Sequence, residues 1–222
     1  MVRADLKRLA KQQLSGHWGM AALVMLVYSA IIGGLSGLGV FAMGTFNPIT
    51  LMYEGGSPML SGLANLALFL VSGAFMYGLY NVFVVLARTG ELEVGTLFSG
   101  FPMFFKCFGL AFMISLFTFL WSLLFVIPGI VAAYRYRMAF YLLIDNPDIG
   151  IMEAIRESKE MMRGHKGELF ILDWSFFWWI LLGLVTFGIG MFWISPYMQE
   201  TEVNYYEYLR GAADGSATAQ TM

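Results

Sequence analysis

Four stretches of this chain, 12–53, 55–87, 107–134 and 174–199, contain no Asp, Glu, Lys or Arg, and each is packed with Leu, Val, Ile, Phe, Met, Ala and Gly. A helix needs roughly 20 apolar residues to cross a hydrocarbon layer about 30 Å thick, and every stretch is long enough to supply one. The composition agrees. The 222 residues are 59% hydrophobic, 17% aromatic and only 13% charged, whereas a soluble domain carries about 25% charge. The chain therefore reads as an all-α, polytopic membrane helical bundle. Its single cysteine, Cys107, excludes an intramolecular disulfide. With two histidines besides, it makes no ligand cluster without the help of carboxylates, which argues against a structural zinc site.

The chain divides into an interfacial amphipathic helix at 1–16, one transmembrane bundle at 17–210 and a small, polar tail at 211–222 that is expected to be disordered. In the first part Val2, Leu6, Leu9, Ala10 and Leu14 recur at helical spacing, with Arg3, Lys7 and Lys11 on the other side. Such a helix lies in the headgroup layer with its cations toward anionic lipid. It is no cleavable signal peptide, whose apolar core is much shorter. Spans are predicted at about 18–44, 60–87, 106–127, 130–144, 169–187 and 191–209. The first connection carries the turn signals Asn47-Pro48, Glu54-Gly55-Gly56 and Ser57-Pro58.

Length decides how the third apolar stretch is read. Lys106 to Ile144 as one helix would run roughly 58 Å, about twice the hydrocarbon thickness. Pro128-Gly129 is therefore expected to be a turn, with a short segment returning from Ile130. Thr186-Phe187-Gly188-Ile189-Gly190 is expected to be a second turn of this kind. The two short returning helices distinguish this six-span reading from a four-span one with kinks at Pro128 and Gly188. Between segments four and five an amphipathic interfacial helix is predicted over 147–163, with Asn146 as N-cap, Pro147 at its first position and Gly164 closing it.

The cations set the orientation. Eleven of the 13 Lys and Arg residues fall before segment one, between two and three, between four and five, or after six; only Arg135 and Arg137 lie inside a span. By the positive-inside rule both termini are cytoplasmic. An internal echo accompanies this pattern. Leu14-Ser15-Gly16-His17-Trp18-Gly19 resembles Met162-Arg163-Gly164-His165-Lys166-Gly167, each between an amphipathic helix and a span, and Phe104–Gly109 is a weaker third copy.

Ile127-Pro128-Gly129-Ile130, Tyr134-Arg135-Tyr136, Asp145-Asn146-Pro147, Glu157-Ser158-Lys159, Gly164-His165-Lys166, Gly188-Ile189-Gly190 and Pro196-Tyr197-Met198-Gln199 together resemble a bacterial integral-membrane family, that of domain of unknown function 975. That family is in turn distantly similar to the membrane region attached to some glycerophosphodiester phosphodiesterases. The resemblance implies six helices and the bacterial inner membrane. It implies no activity and no functional residue.

Arg135 and Arg137 are the leading candidates for function, because a charge at bilayer depth costs about 2.5–3.5 kcal/mol on insertion scales and must be offset. Counted along the helices, Gln199 and Glu200 lie at a similar depth, so Glu200 is a candidate partner of either arginine. Two residues apart means about 200° of rotation, so one arginine at most faces a common cavity. The same holds for Glu200 and Glu202. Either one arginine lines a site for an anionic headgroup or small anion, or the charges form a structural ion pair. Asp173 is a further acidic candidate, either relaying protons or pairing with Lys106 or Lys166. His17 and His165 read as interfacial helix-end residues and Gly188 and Gly190 as turn formers. Gly33, Gly34, Gly37 and Gly39, with Ser29 and Ser36, form a small-residue face suited to close packing within the fold, against a second copy or against a membrane-protein partner.

No phosphate-binding glycine loop, nucleophile elbow or zinc-protease motif appears, and the dispersed cations point to membrane lipids and not to nucleic acid. The sequence is thus read as a non-catalytic, cofactor-free membrane protein that binds or moves lipid headgroups or a small anionic solute. The alternative is a structural or partner subunit of a membrane complex.

Overall fold

The computed structural model describes residues 3–47, 52–54 and 56–220. Pro48 and Gly55, two of the turn signals in the first connection, lie outside the described residues. The chain runs α1 (Arg3–Gln13), α2 (Trp18–Ala42), β1 (Thr45–Asn47), β2 (Met52–Glu54), α3 (Pro58–Thr89), a 3₁₀ turn at Val94–Phe98, α4 (Phe104–Leu124), α5 (Val126–Tyr136), α6 (Ala139–Asp145), α7 (Ile151–Met161), α8 (Lys166–Trp174), α9 (Phe177–Val185) and α10 (Met191–Gln220). The two short strands form an antiparallel ladder with Thr45 opposite Glu54. The described residues are otherwise helices and their connections.

Four stretches are long and apolar enough to cross a membrane: Trp18–Ala42, Pro58–Thr89, Phe104–Leu124 and Lys166–Val185. Their outward faces are greasy, with Phe41, Phe105 and Trp178 largely exposed. Helix α3 is the best defined at its ends. Ser57 Oγ accepts from Leu60 N at 3.3 Å with Pro58 in the first turn, the N-terminal signature of a helix. It packs on the 3₁₀ turn so closely that a Cβ at Gly78 would lie 1.8 Å from the Leu97 carbonyl oxygen.

The turn expected at Pro128-Gly129 falls instead at Phe125, whose backbone is extended, and α5 packs on α4. Pro128 sits inside the first turn of α5, where the missing N–H costs nothing. Gly129 lets α5 lie against α4: a Cβ there would be 2.9 Å from Ser122 Cα. Further along the pair, the Phe117 and Tyr136 rings are 6.1 Å apart. The segment expected as one helix over 130–144 is two, α5 and α6, broken at Arg137-Met138. The break coincides with the charged bonds Arg137 makes, and these are roughly twice as strong as a neutral backbone bond.

Segment five is likewise divided into α8 and α9 at Ser175, whose hydroxyl donates back to the Leu172 carbonyl, a bond that bends helices. The Thr186–Gly190 turn follows. Phe187 and Gly188 both have positive φ, Gly188 N donates to Gly183 O at 3.0 Å, and Gly190 N donates to Thr186 Oγ1 at 2.9 Å.

Three further expectations are corrected. Asn146 does not cap a helix at Pro147. Its Oδ1 accepts from Asp148 N at 3.2 Å, a local Asx turn that competes with helix, and α7 begins at Ile151 after Gly150. The stretch 211–222 was expected to lack structure, yet α10 continues to Gln220. Extending an existing helix needs no new nucleus, and the alanines there favour it. Third, α1 does not lie free in the interface. Leu6, Ala10 and Leu14 are buried, and α1 packs along α10 and touches α3. Lys7 Nζ donates to Ser175 O at 3.3 Å and sits 3.8 Å from the Phe176 ring centre.

The turns around Gly16 and Gly164 share one geometry. Both glycines have positive φ, 91° and 87°. Leu14 N bonds Ala10 O and His17 N bonds Leu14 O, as Met162 N bonds Ser158 O and His165 N bonds Met162 O. Leu14 and Met162 are both fully buried. The third copy has no left-handed glycine and begins α4 directly.

Polar contacts gather the ends of several helices at one end of the bundle. Asn204 donates to Gln13, and Gln13 to Ala87 O. Arg88 bridges Asp145 and Glu207 at 2.6 Å each, and Arg210 reaches Asp145 at 3.1 Å. Lys106 Nζ donates to Pro147 O at 2.5 Å. The end of α1, the end of α3, the start of α4, the end of α6 and the polar half of α10 are thus neighbours.

Candidate functional site

Arg137, at the joint between α5 and α6, lies between two carboxylates. Its Nε and Nη2 donate to Glu202 Oε1 and Oε2 at 2.7 and 2.6 Å, a bidentate fork, and its Nη1 donates to Asp173 Oδ2 at 3.1 Å. Tyr134 OH donates to that Asp173 oxygen at 2.9 Å. The cluster ties α5, α8 and α10 together. The expected partner of the arginines, Glu200, is not on either of them. It is fully buried, and neither of its oxygens has a hydrogen-bond partner among the described residues. Glu202 is buried as well, against the expectation that only one of the two faces the bundle. Helix α10 is packed by α1, α2, α3 and α9, so more than one of its faces is interior.

Beside the cluster lies a cavity of about 500 Å³. Met25, Leu79, Ile180, Met191 and Phe192 form its apolar wall, and Tyr28, Ser29, Ser195 and Gln199 bring polar groups to it, with Arg137, Asp173 and Glu202 at one side. Gln199 also donates to Tyr141 OH at 2.7 Å. Tyr141 stacks on Tyr206 with ring centres 5.0 Å apart, and Tyr206 OH donates to Asp145 at 2.5 Å.

Arg135 points elsewhere. It lines a groove of about 960 Å³ between α4, α5 and α7, together with Arg156 and Lys159. Glu153 is the one carboxylate in that lining; it pairs with Arg156 at 3.2 Å. Phe117, Trp121, Ile151 and Ile155 provide the floor. Ser158 Oγ donates to Arg135 O at 2.9 Å and so ties α7 to α5 beside the groove. Met152 is exposed at the groove.

The separation of the two arginines follows from their spacing, as predicted. Asp173 pairs with Arg137 and not with Lys106 or Lys166, because α8 packs on α5 near the α5–α6 joint. Arg156 and Lys159 are not among the site residues expected from the sequence. Their spacing of three, which places them on one side of α7, was the available signal. Pro128, Gly129, Gly188 and Gly190 serve the turns described above. His165 precedes α8 with Nδ1 3.0 Å from Glu168, and Tyr205 OH donates to both its carbonyl and Glu168 at 3.1 Å. His17 precedes α2 with its Nδ1 buried and unpartnered among the described residues. Gly33, Gly34 and Gly37 have nothing within 4 Å of where a Cβ would stand.

No curated protein and no solved structure matches the chain. A family model matches it over residues 1–133 and 123–213. On that match, the chain belongs to the family described as protein of unknown function (DUF975).

Proposed function

We propose that this is a non-catalytic integral membrane protein that binds a membrane lipid by its anionic headgroup, in the groove between α4, α5 and α7. The observation that carries the reading is the lining of that groove. Arg135, Arg156 and Lys159 face one carboxylate, Glu153, above an aromatic and aliphatic floor. An amphiphile with a phosphate at one end and acyl chains at the other matches both halves. Arg137 has a different role in this reading: two carboxylates already occupy it, and it holds helices together.

The reading includes six crossings, both termini in the cytoplasm and the bacterial inner membrane. The cation distribution supports the orientation. The clustering of Gln13, Arg88, Lys106, Asp145 and Arg210 at one end supports helices that alternate in direction. The likeness to the membrane region of glycerophosphodiester phosphodiesterases has no match behind it and plays no part.

The test is lipid retention. The protein is purified from membranes containing phosphatidylglycerol and phosphatidylethanolamine, and the bound lipid is identified by mass spectrometry. Each cation near a headgroup is worth about 1 kcal/mol. An Arg135→Gln/Lys159→Gln variant should therefore retain on the order of 30-fold less phosphatidylglycerol at equal folding. Unchanged retention by the folded variant refutes the proposal.

A second reading, a structural or partner subunit, has one observation in its favour. The Gly33, Gly34 and Gly37 face of α2 is uncovered, the kind of surface on which another helix packs closely. Cross-linking through that face in the membrane, lost on Gly37→Leu, would support it.

A further inference from the structure

We infer that the cavity beside Arg137 is a second binding site, distinct from the lipid groove, and that it takes a primary aliphatic amine in its cationic form.

Charge comes first. One guanidinium meets the carboxylates of Asp173 and Glu202, so the cluster carries one uncompensated negative charge. A guanidinium is always protonated, and each carboxylate bonds it directly. An excess charge away from bulk water is costly, and intramembrane charges pair with a partner of opposite sign. The groove at Arg135 has the opposite balance, so the two sites select opposite ligands.

Hydrogen-bond valence points the same way. Arg137 directs three of its five N–H groups at the two carboxylates. Each Glu202 oxygen accepts one bond there, and Asp173 Oδ2 accepts two, from Arg137 and Tyr134. A carboxylate has about four acceptor sites, so acceptors remain where donors are mostly spent. An ammonium group brings three donors and no acceptor.

The remaining lining fixes the class. Met25, Leu79 and Met191 offer an apolar wall to an aliphatic stem, and the Tyr28 and Phe192 rings favour a nearby cation. The space, about 500 Å³, exceeds what a bare ammonium ion fills.

The experiment uses the full chain purified in detergent and follows thermal unfolding in n-butylammonium, 1,4-diaminobutane, butyrate and butanol at matched ionic strength. The amines are expected to raise the midpoint in a saturable, concentration-dependent way, while butyrate and butanol leave it unchanged. Asp173→Asn neutralises the excess charge and keeps an oxygen for Tyr134 and Arg137. It should raise the amine concentration for half-maximal effect at least tenfold. Ser195→Leu fills the cavity without changing charge and should abolish the response. Arg135→Gln/Lys159→Gln should leave it intact, which separates this site from the lipid groove. No saturable amine response in the native protein, an equal response to butyrate, or an undiminished response in folded Asp173→Asn or Ser195→Leu would each overturn the assignment.

Discussion

Arg137 and Glu202 face each other through two parallel hydrogen bonds, 2.7 and 2.6 Å long, from the joint of α5 and α6 to the middle of α10. They stand 65 residues apart in the chain. With Asp173 at 3.1 Å, they join α5, α8 and α10, and Tyr205 OH adds a second polar tie from α10 to Glu168 of α8. Arg137→Met strands both carboxylates, Glu202 buried and Asp173 half-buried, and the loss expected is below the roughly 3–5 kcal/mol of a fully buried pair. Replacing all three charges together, as Arg137→Met/Glu202→Leu/Asp173→Asn, should restore most of it, since a buried ion cluster is often replaceable by apolar groups. Thermal unfolding in detergent checks both. A single variant as stable as the native protein would show that the cluster contributes nothing.

Gly78 and Gly62 lie in the same helix and should respond oppositely to alanine. At Gly78 the added Cβ meets the Leu97 backbone, whereas at Gly62 nothing lies within 4 Å. Gly78→Ala must push the 3₁₀ turn away, at a cost of about 1–3 kcal/mol. Gly62→Ala should be neutral or stabilising by up to about 1 kcal/mol, from helix propensity alone. Unfolding midpoints of the two variants decide it.

The matched turns predict matched penalties. Gly16→Ala and Gly164→Ala each force a side chain into the left-handed region, at about 1–2 kcal/mol. Asn in either place should cost less. Both alanine variants should show similar losses of stability. If one is silent, the resemblance between the turns is only one of sequence.

Sidedness is open to a labelling test with little background, because Cys107, the single native cysteine, is fully buried. Cysteines introduced at Ile127 and Ile189, both exposed at hairpin tips, should react with an impermeant maleimide in intact cells. Cysteines at Glu91 and Arg163 should react only after the membrane is opened. Labelling of Ile127 solely from the inside would contradict the six-span reading.

Several features were legible because they depend on local chemistry. The charge-free runs mark α2, α3 and α4, since hydrocarbon tolerates few charges. Pro128 lies within three residues of the break between α4 and α5 at Phe125, since a proline is favoured in the first turn of a helix. Gly16 and Gly164 end their helices as the repeat suggested. The expectations that failed are those in which a side chain chose between two neighbours. Asn146 bonds Asp148 N instead of capping a helix. Ser175 and Arg137 break helices that hydropathy draws as continuous.

Depth along a helix can be counted from residue numbers, and it rightly brought Arg137 near the acidic stretch of α10. Azimuth cannot be counted in that way. One residue is about 100° of rotation, so Glu200 and Glu202 have nearly equal depth and opposite directions. What the chain determined unaided is which segments are long and apolar enough to cross a membrane, because water and lipid act on each residue separately. Which carboxylate meets Arg137, and that Arg135 joins Arg156 and Lys159 in another groove, was decided only by the lateral packing of α4, α5, α7, α8 and α10. Such pairings are properties of neighbouring helices, and hydropathy is blind to neighbours.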